Sequence, residues 1–271
     1  MNILDKIVAN KKVEVAEKKV MISEKQLEKS ISSASIPSLK TFLQDPGKSG
    51  IICEFKRKSP SKGLINGNAQ VQDVTRNYEQ AGASAISVLT DKAFFGGTAQ
   101  DLTDARDVTT IPILRKDFII DPFQILEARA IGASAILLIA AILEKDEVKS
   151  MAQYAYSLGL EVLFEVHNAE ELEKYDPIIE IVGVNNRNLK TFEVNIDTSV
   201  EVGKFIPENC VKVAESGISD IKNIQYLKQF GFEGFLIGEN FMKTNDPGQA
   251  CIDFIKTLKT QVSRHQNQDK N

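Results

Sequence analysis

The residues best placed to do chemistry are lysines and glutamates that close short apolar runs. Glu54 and Lys56 end the run 51–55, and Arg115, Lys116, Asp117 and Phe118 end 111–115. Glu165 closes 161–166 and is followed by His167; Glu161 stands in the same run. Asn185, Asn186, Arg187 and Asn188 follow 179–184, and Glu215, Ser216 and Gly217 close 211–215. Gly238 and Glu239 follow the run that starts at 235. An ammonium beside carboxylates is a proton-transfer apparatus: one group donates while its neighbours tune its pKa. Side chains alternate along a strand, so Glu54 and Lys56 share a face. If that face is buried, an unpaired charge there is costly, and opposite charges converging on a polar ligand offset the cost. Ser216-Gly217 and Gly238 form short turns in which backbone N–H groups can approach a phosphate closely, with Arg187 as a nearby cation.

Composition excludes other chemistries. The 271 residues are 42% hydrophobic and 26% charged, as in an ordinary soluble protein with a substantial core. Three scattered cysteines (Cys53, Cys210, Cys251) with no C-x-x-C pair argue against a disulfide framework or a cysteine zinc site. Two histidines, His167 and His265, cannot make a three-histidine metal centre. A net charge of -4 argues against a general nucleic-acid surface. No apolar run approaches the ~20 residues of a membrane span, and the first residues lack a signal peptide's apolar stretch. A cytoplasmic protein without nucleic-acid or membrane partners is expected.

Positioning these side chains needs a repeating scaffold. Eight apolar runs read as strands: 51–55, 85–89, 111–115, 135–139, 161–166, 179–184, 211–215 and 235–238. Each precedes a helix-compatible segment: 70–81, 98–108, 122–130, 144–158, 169–175, 197–205, 219–229 and 247–259. The runs are apolar throughout, as in strands covered on both faces. Their ends fall about 26 residues apart, a β/α repeat spacing. Similar phrases with Gly82, Gly132 and Gly231 precede three strands and suit helix ends with positive φ. Eight units favour an α/β protein with a (β/α)8 TIM-barrel fold. A doubly wound open sheet would carry a G-x-G-x-x-G turn after its first strand, and none is present. The barrel places chemistry at the C-terminal strand ends. The expected division is an N-terminal helical extension (1–45), a barrel (46–260) and a polar tail (261–271). In the extension, Ile3, Leu4, Ile7, Val8, Val13, Val20 and Ile22 suggest an amphipathic helix, with a second at 38–44. That extension either packs on the barrel or covers the site.

The phrases at 54–63 (Glu-Phe-Lys-Arg-Lys-Ser-Pro-Ser-Lys-Gly), 114–118 (Leu-Arg-Lys-Asp-Phe), 185–189 (Asn-Asn-Arg-Asn-Leu) and 214–218 (Ala-Glu-Ser-Gly-Ile) resemble those of indole-3-glycerol-phosphate synthase. The resemblance spans essentially the whole chain. It is to the single-function form, without a fused phosphoribosylanthranilate isomerase barrel. It departs at Cys53, where Ala is common, and at Asn188, where Asp is common. The resemblance implies ring closure of 1-(2-carboxyphenylamino)-1-deoxyribulose 5-phosphate with loss of CO2 and water, without cofactor or metal. It implies Lys116 as general acid, Glu165 as a second acid/base group, and Asn185 orienting Glu165. Lys56 and Arg187 would bind anions, with Gly217, Gly238 and Glu239 holding phosphate. Glu54, Ser59, Glu215 and Ser216 would complete the site. Phe94 or Phe95, with Phe118, is expected as an apolar wall, although core packing explains these residues equally well. His167 is expected to serve structure, and Lys58 and Lys62 to be solvated or to close a loop. Two other functions stay open: a Schiff-base aldolase using Lys56 or Lys116, and a phosphate-ligand binder without turnover.

Overall fold

Apolar runs bounded by glycines and capping residues make one closed parallel barrel. The computed structural model describes residues 3–189 and 191–268, with side chains through residue 261. The strands are Ile51–Phe55, Ala85–Leu89, Ile113–Lys116, Ala135–Ile139, Glu161–Val166, Ile181–Asn185, Val211–Glu215 and Phe232–Ile237. Each pairs with its neighbour in sequence, and the eighth closes on the first. The third strand begins two residues later than expected, just past Pro112, which has no N–H to give a ladder. The eighth begins earlier, with an irregularity between Phe232 and Gly234.

Helices follow seven of the strands: Val71–Ala81, Ala99–Val108, Pro122–Ala130, Lys145–Ser157, Asp197–Gly203, Ile221–Lys228 and Pro247–Gln268. Gly82, Gly132 and Gly231 have positive φ, as their phrases suggested. The helix expected at 169–175 is only a 3-10 turn, Glu170–Lys174. Asp176-Pro177 follows, and proline biases the residue before it away from helix. The last helix outruns its expected end. The polar tail at 261–271 is helical in backbone to Gln268; its side chains from 262 and residues 269–271 lie outside the described residues. No described helix is long and apolar enough to cross a membrane.

Inside the ring, Ile52, Leu114, Leu137, Leu163, Ile181, Val213 and Leu236 form an apolar layer. Its base is plugged from the N-terminal segment. This segment forms three helices, α1 (Ile3–Met21), α2 (Glu24–Ser30) and α3 (Leu39–Gln44). Leu39 and Leu43 of α3 belong to the inner layer. Glu161 opens the fifth strand and accepts hydrogen bonds from the Ser38 hydroxyl at 2.6 Å and the Lys40 amide at 3.1 Å, and from the Leu39 amide. A carboxylate there satisfies the first amides of α3, so Glu161 serves the base of the barrel and not its mouth.

The apolar face expected for α1 needs correction. Its buried stripe is Ile7, Lys11 and Val15, whereas Val13 and Val20 are 58% and 88% exposed. A lysine occupies a core position at helical spacing, so hydrophobicity alone misplaces the face.

Candidate active site

Alternation along the strands sets the site directly above the apolar layer. Glu54, Lys116, Glu165 and Glu215 each stand two residues beyond an inner-layer residue: Ile52, Leu114, Leu163 and Val213. They therefore point inward at the C-terminal end. Lys116 Nζ lies 2.8 Å from Glu165 Oε2 and 3.0 Å from Glu215 Oε2. Lys56 pairs with Glu54. Gly183 makes this crowding possible, because a Cβ there would overlap the Glu215 carboxylate; a Cβ at Gly238 would likewise meet Glu54.

The electrostatics follow from burial and from three carboxylates facing one ammonium. Burial alone would lower the Lys116 pKa, but Glu165, Glu215 and Glu54 outweigh it and hold the ammonium above its usual range. Burial would raise Glu165; Lys116, His167 and a hydrogen bond from Asn185 bring it down to about 2. Glu215 is pushed up to about 7 by burial and by Glu165, against the pull of Lys116. Neither Glu215 oxygen accepts a directed hydrogen bond. Near neutral pH the group thus holds a cation, an anion and a carboxyl poised to titrate.

Most of the residues named from the sequence line one cavity of 590 Å³. Glu54, Lys56, Lys116, Glu165, Asn185 and Glu215 form its floor, and Ser59, Phe118, Arg187, Ser216, Gly217, Gly238 and Glu239 its walls. Ser216 and Gly217 both have positive φ (66° and 77°). Gly217 is required for a second reason: a Cβ would collide with Val194, which bridges to Arg187. The short helix Glu239–Met242 starts at Gly238. The loop after the first strand makes a two-rung hairpin, Lys58–Ser59 with Gly63–Leu64, and leans over the mouth, with Lys62 Nζ 3.6 Å from Glu239. Phe95 and Phe118, with ring centroids 5.9 Å apart, also line the cavity, as do Ile3, Leu4 and Ile7 of α1.

Residues 4–254 match the family described as Indole-3-glycerol phosphate synthase. A relative of that name from Bacteroides thetaiotaomicron is 46% identical over 258 residues, covering 95% of this chain and 99% of its own. Another, from Polynucleobacter asymbioticus, is 43% identical over 264 residues, 94% of this chain and 99% of its own. The chain belongs to the indole-3-glycerol phosphate synthase family. Among solved structures, thiamine phosphate pyrophosphorylase from Pyrococcus furiosus superposes with a TM-score of 0.56 at 16% identity, over 78% of this chain and 95% of that one. That likeness shows the barrel fold alone.

Several residues of this indole-3-glycerol phosphate synthase family member stay out of the cavity. Phe94 does not line it, and Lys58 turns away to the Ala93 carbonyl at 2.6 Å. His167 sits behind Glu165, with Nε2 3.4 Å from Glu165 Oε1 and Nδ1 3.3 Å from Glu171 Oε2. Arg115 points outward to Glu127 at 2.5 Å, since it alternates with Lys116. Cys53 is fully buried outside the cavity, and Asn188 is not a lining residue. Ile3, Leu4 and Ile7, in the extension expected either to pack on the barrel or to cover the site, also line it, as do Asn240 and Lys243, to which sequence reasoning gave no role. For α1 a signal existed in its apolar N-terminal turn; Asn240 and Lys243 stand on a four-residue helix with no pattern of its own.

Proposed function

We propose that this chain converts 1-(2-carboxyphenylamino)-1-deoxyribulose 5-phosphate to indole-3-glycerol phosphate, CO2 and water, with Lys116 as general acid. The observation that carries this is one buried ammonium shared by two carboxylates, 2.8 Å and 3.0 Å away, between a polar wall and an apolar one. The ligand has matching poles. Its phosphate suits Arg187, the Ser216-Gly217 turn and Gly238-Glu239; its aromatic ring suits Phe95, Phe118 and Ile7. Lys56, fixed by Glu54, offers the second cation.

In the first step the ring carbon bearing the carboxylate attacks the ketone carbon, and Lys116 gives its proton to the ketone oxygen. The C–CO2 bond then breaks and its electron pair restores the ring. In the second step the new hydroxyl leaves as water, and a proton lost from the adjacent position completes the pyrrole. When Lys116 becomes neutral, Glu165 loses the charge that held its pKa low and becomes able to carry a proton. Glu165, oriented by Asn185, then acts as the acid/base group of dehydration, giving a proton to the leaving hydroxyl and taking one from the adjacent carbon, and solvent returns the proton that Lys116 gave. Glu215 can accept a hydrogen bond from the ligand's amine or hydroxyls. These steps use only protein acid–base groups. Residues 46–260 carry the chemistry and residues 1–45 supply the cover and the base plug. A small water-soluble phosphate substrate suits a cytoplasmic enzyme.

Borohydride treatment during turnover separates this mechanism from a Schiff-base aldolase. Product formation with no mass adduct on Lys56 or Lys116 is expected. A reduced adduct on either lysine would overturn the general-acid assignment.

A further inference from the structure

Helix α1 carries a charge where its packing calls for an apolar side chain. Lys11, at the centre of the buried stripe, has a fully buried side chain. Its Nζ lies 2.8 Å from Asp117 Oδ1, 3.0 Å from Asp91 Oδ2 and 2.8 Å from Glu14 Oε2. Burial opposes the charge, but Asp117 and Asp91 outweigh it and keep Lys11 an ammonium.

Both carboxylates belong to parts of the cavity wall. Asp91 accepts from the Phe94 amide at 2.7 Å and so caps the short helix Lys92–Phe95 that presents Phe95. Asp117 follows Lys116 and is held from behind by Arg115 at 3.2 Å and by the Thr90 hydroxyl at 2.6 Å. The C-terminal half of α1 has other anchors: Val15 packs with Phe123 and Leu126, and Lys18 and Lys19 pair with Glu127 and Asp121. The N-terminal half, which lines the cavity, is followed directly by Lys11. Ile7 lies one helical turn before it, on the same face. Apolar contacts let a helix slide, whereas a buried ion pair with two fixed partners sets its position.

We propose that Lys11 is a positioning residue whose ammonium, seated between Asp91 and Asp117, locks the start of α1 and the Phe95 helix into one wall for the ring end of the ligand. The proposal rests on the reading of this cavity as the ring-closure site. The phosphate end is built across the barrel, on the seventh and eighth strands, away from the second and third strands that hold Lys11. Loss of Lys11 therefore weakens one pole and spares the other.

The test uses Lys11→Met and, to limit the orphaned charge, Lys11→Met with Asp91→Asn. Dissociation constants are measured by calorimetry for anthranilate and for inorganic phosphate, beside kcat and KM for the full substrate. Losing the contact of one aliphatic side chain with a ring corresponds to an about tenfold weaker Kd. The expected result is that loss for anthranilate, phosphate affinity within about twofold, and a raised KM with kcat less affected. Equal weakening of both probes, unchanged anthranilate binding in a folded variant, or failure of both variants to fold would overturn it. A wild-type protein that binds both probes without turnover would sink the reaction assignment instead, and the two-probe comparison would still decide the role of Lys11.

Discussion

Replacing Glu215 with Gln should stabilise the protein at pH 8 while impairing it as an enzyme. Glu215 is 1% exposed and neither of its oxygens accepts a directed hydrogen bond. It shares the Lys116 ammonium, at 3.0 Å, with the closer Glu165. Burial first, and then Glu165, hold its pKa up to about 7, against an ordinary value of 4.5. The folded state thus keeps this proton more tightly than the unfolded chain between pH 4.5 and about 7. Stability falls as pH rises through that window, and the whole penalty is present above it. Below the window both states are protonated and Gln is a fair mimic of the carboxyl. The shift corresponds to roughly 3 kcal/mol. Urea denaturation midpoints for wild type and variant should nearly coincide at pH 4 and separate at pH 8, with the variant higher. Parallel pH curves, or a variant less stable at pH 8, would refute the argument that Glu215 is a strained buried acid. Glu165 has the opposite sign: its contribution is present above pH 4.5 and is lost as pH falls toward 2 in both proteins.

Lys116→Met keeps the side-chain length and removes the proton; kcat should fall by ~10²–10⁴-fold, and a folded variant retaining more than about a third of wild-type kcat would remove Lys116 from the chemistry. Gly217→Ala forces a Cβ into a left-handed turn and against Val194. It should cost about 1–3 kcal/mol in denaturant titration and weaken phosphate binding, because the displaced segment bridges to Arg187; unchanged phosphate affinity would place that anion elsewhere. Leu39→Ala opens the plugged base of the barrel and should cost about 2–5 kcal/mol by thermal or urea unfolding, whereas a cost near zero would mean that α3 only rests on the surface.

The barrel was legible because strands buried on both faces read as unbroken apolar runs, and their spacing repeats. Lys116, Glu165 and Glu215 were legible for a related reason: each is a charge at the end of such a run, at a position whose neighbour two residues earlier is apolar. Short elements were not. The helices Lys92–Phe95 and Glu239–Met242 are too brief to show a period, although Asp91 is a recognisable cap. Helix α2 was missed despite a capping box between Ser23 and Gln26. Glu161 was noted from the sequence only as part of the fifth run; its place at the start of that strand assigns it to the base. Lys11 was illegible in principle. Its partners, Asp91 and Asp117, lie 80 and 106 residues away in sequence, and a lysine in a helix full of lysines reads as solvent-facing.

The central claim is a decarboxylating ring closure driven by the buried lysine. Its most direct test is incubation of the purified chain with 1-(2-carboxyphenylamino)-1-deoxyribulose 5-phosphate, following indole fluorescence and released CO2 together. Both should rise at the same rate and in equal amounts. Substrate binding with neither signal, or cleavage of the sugar chain without CO2, would contradict it.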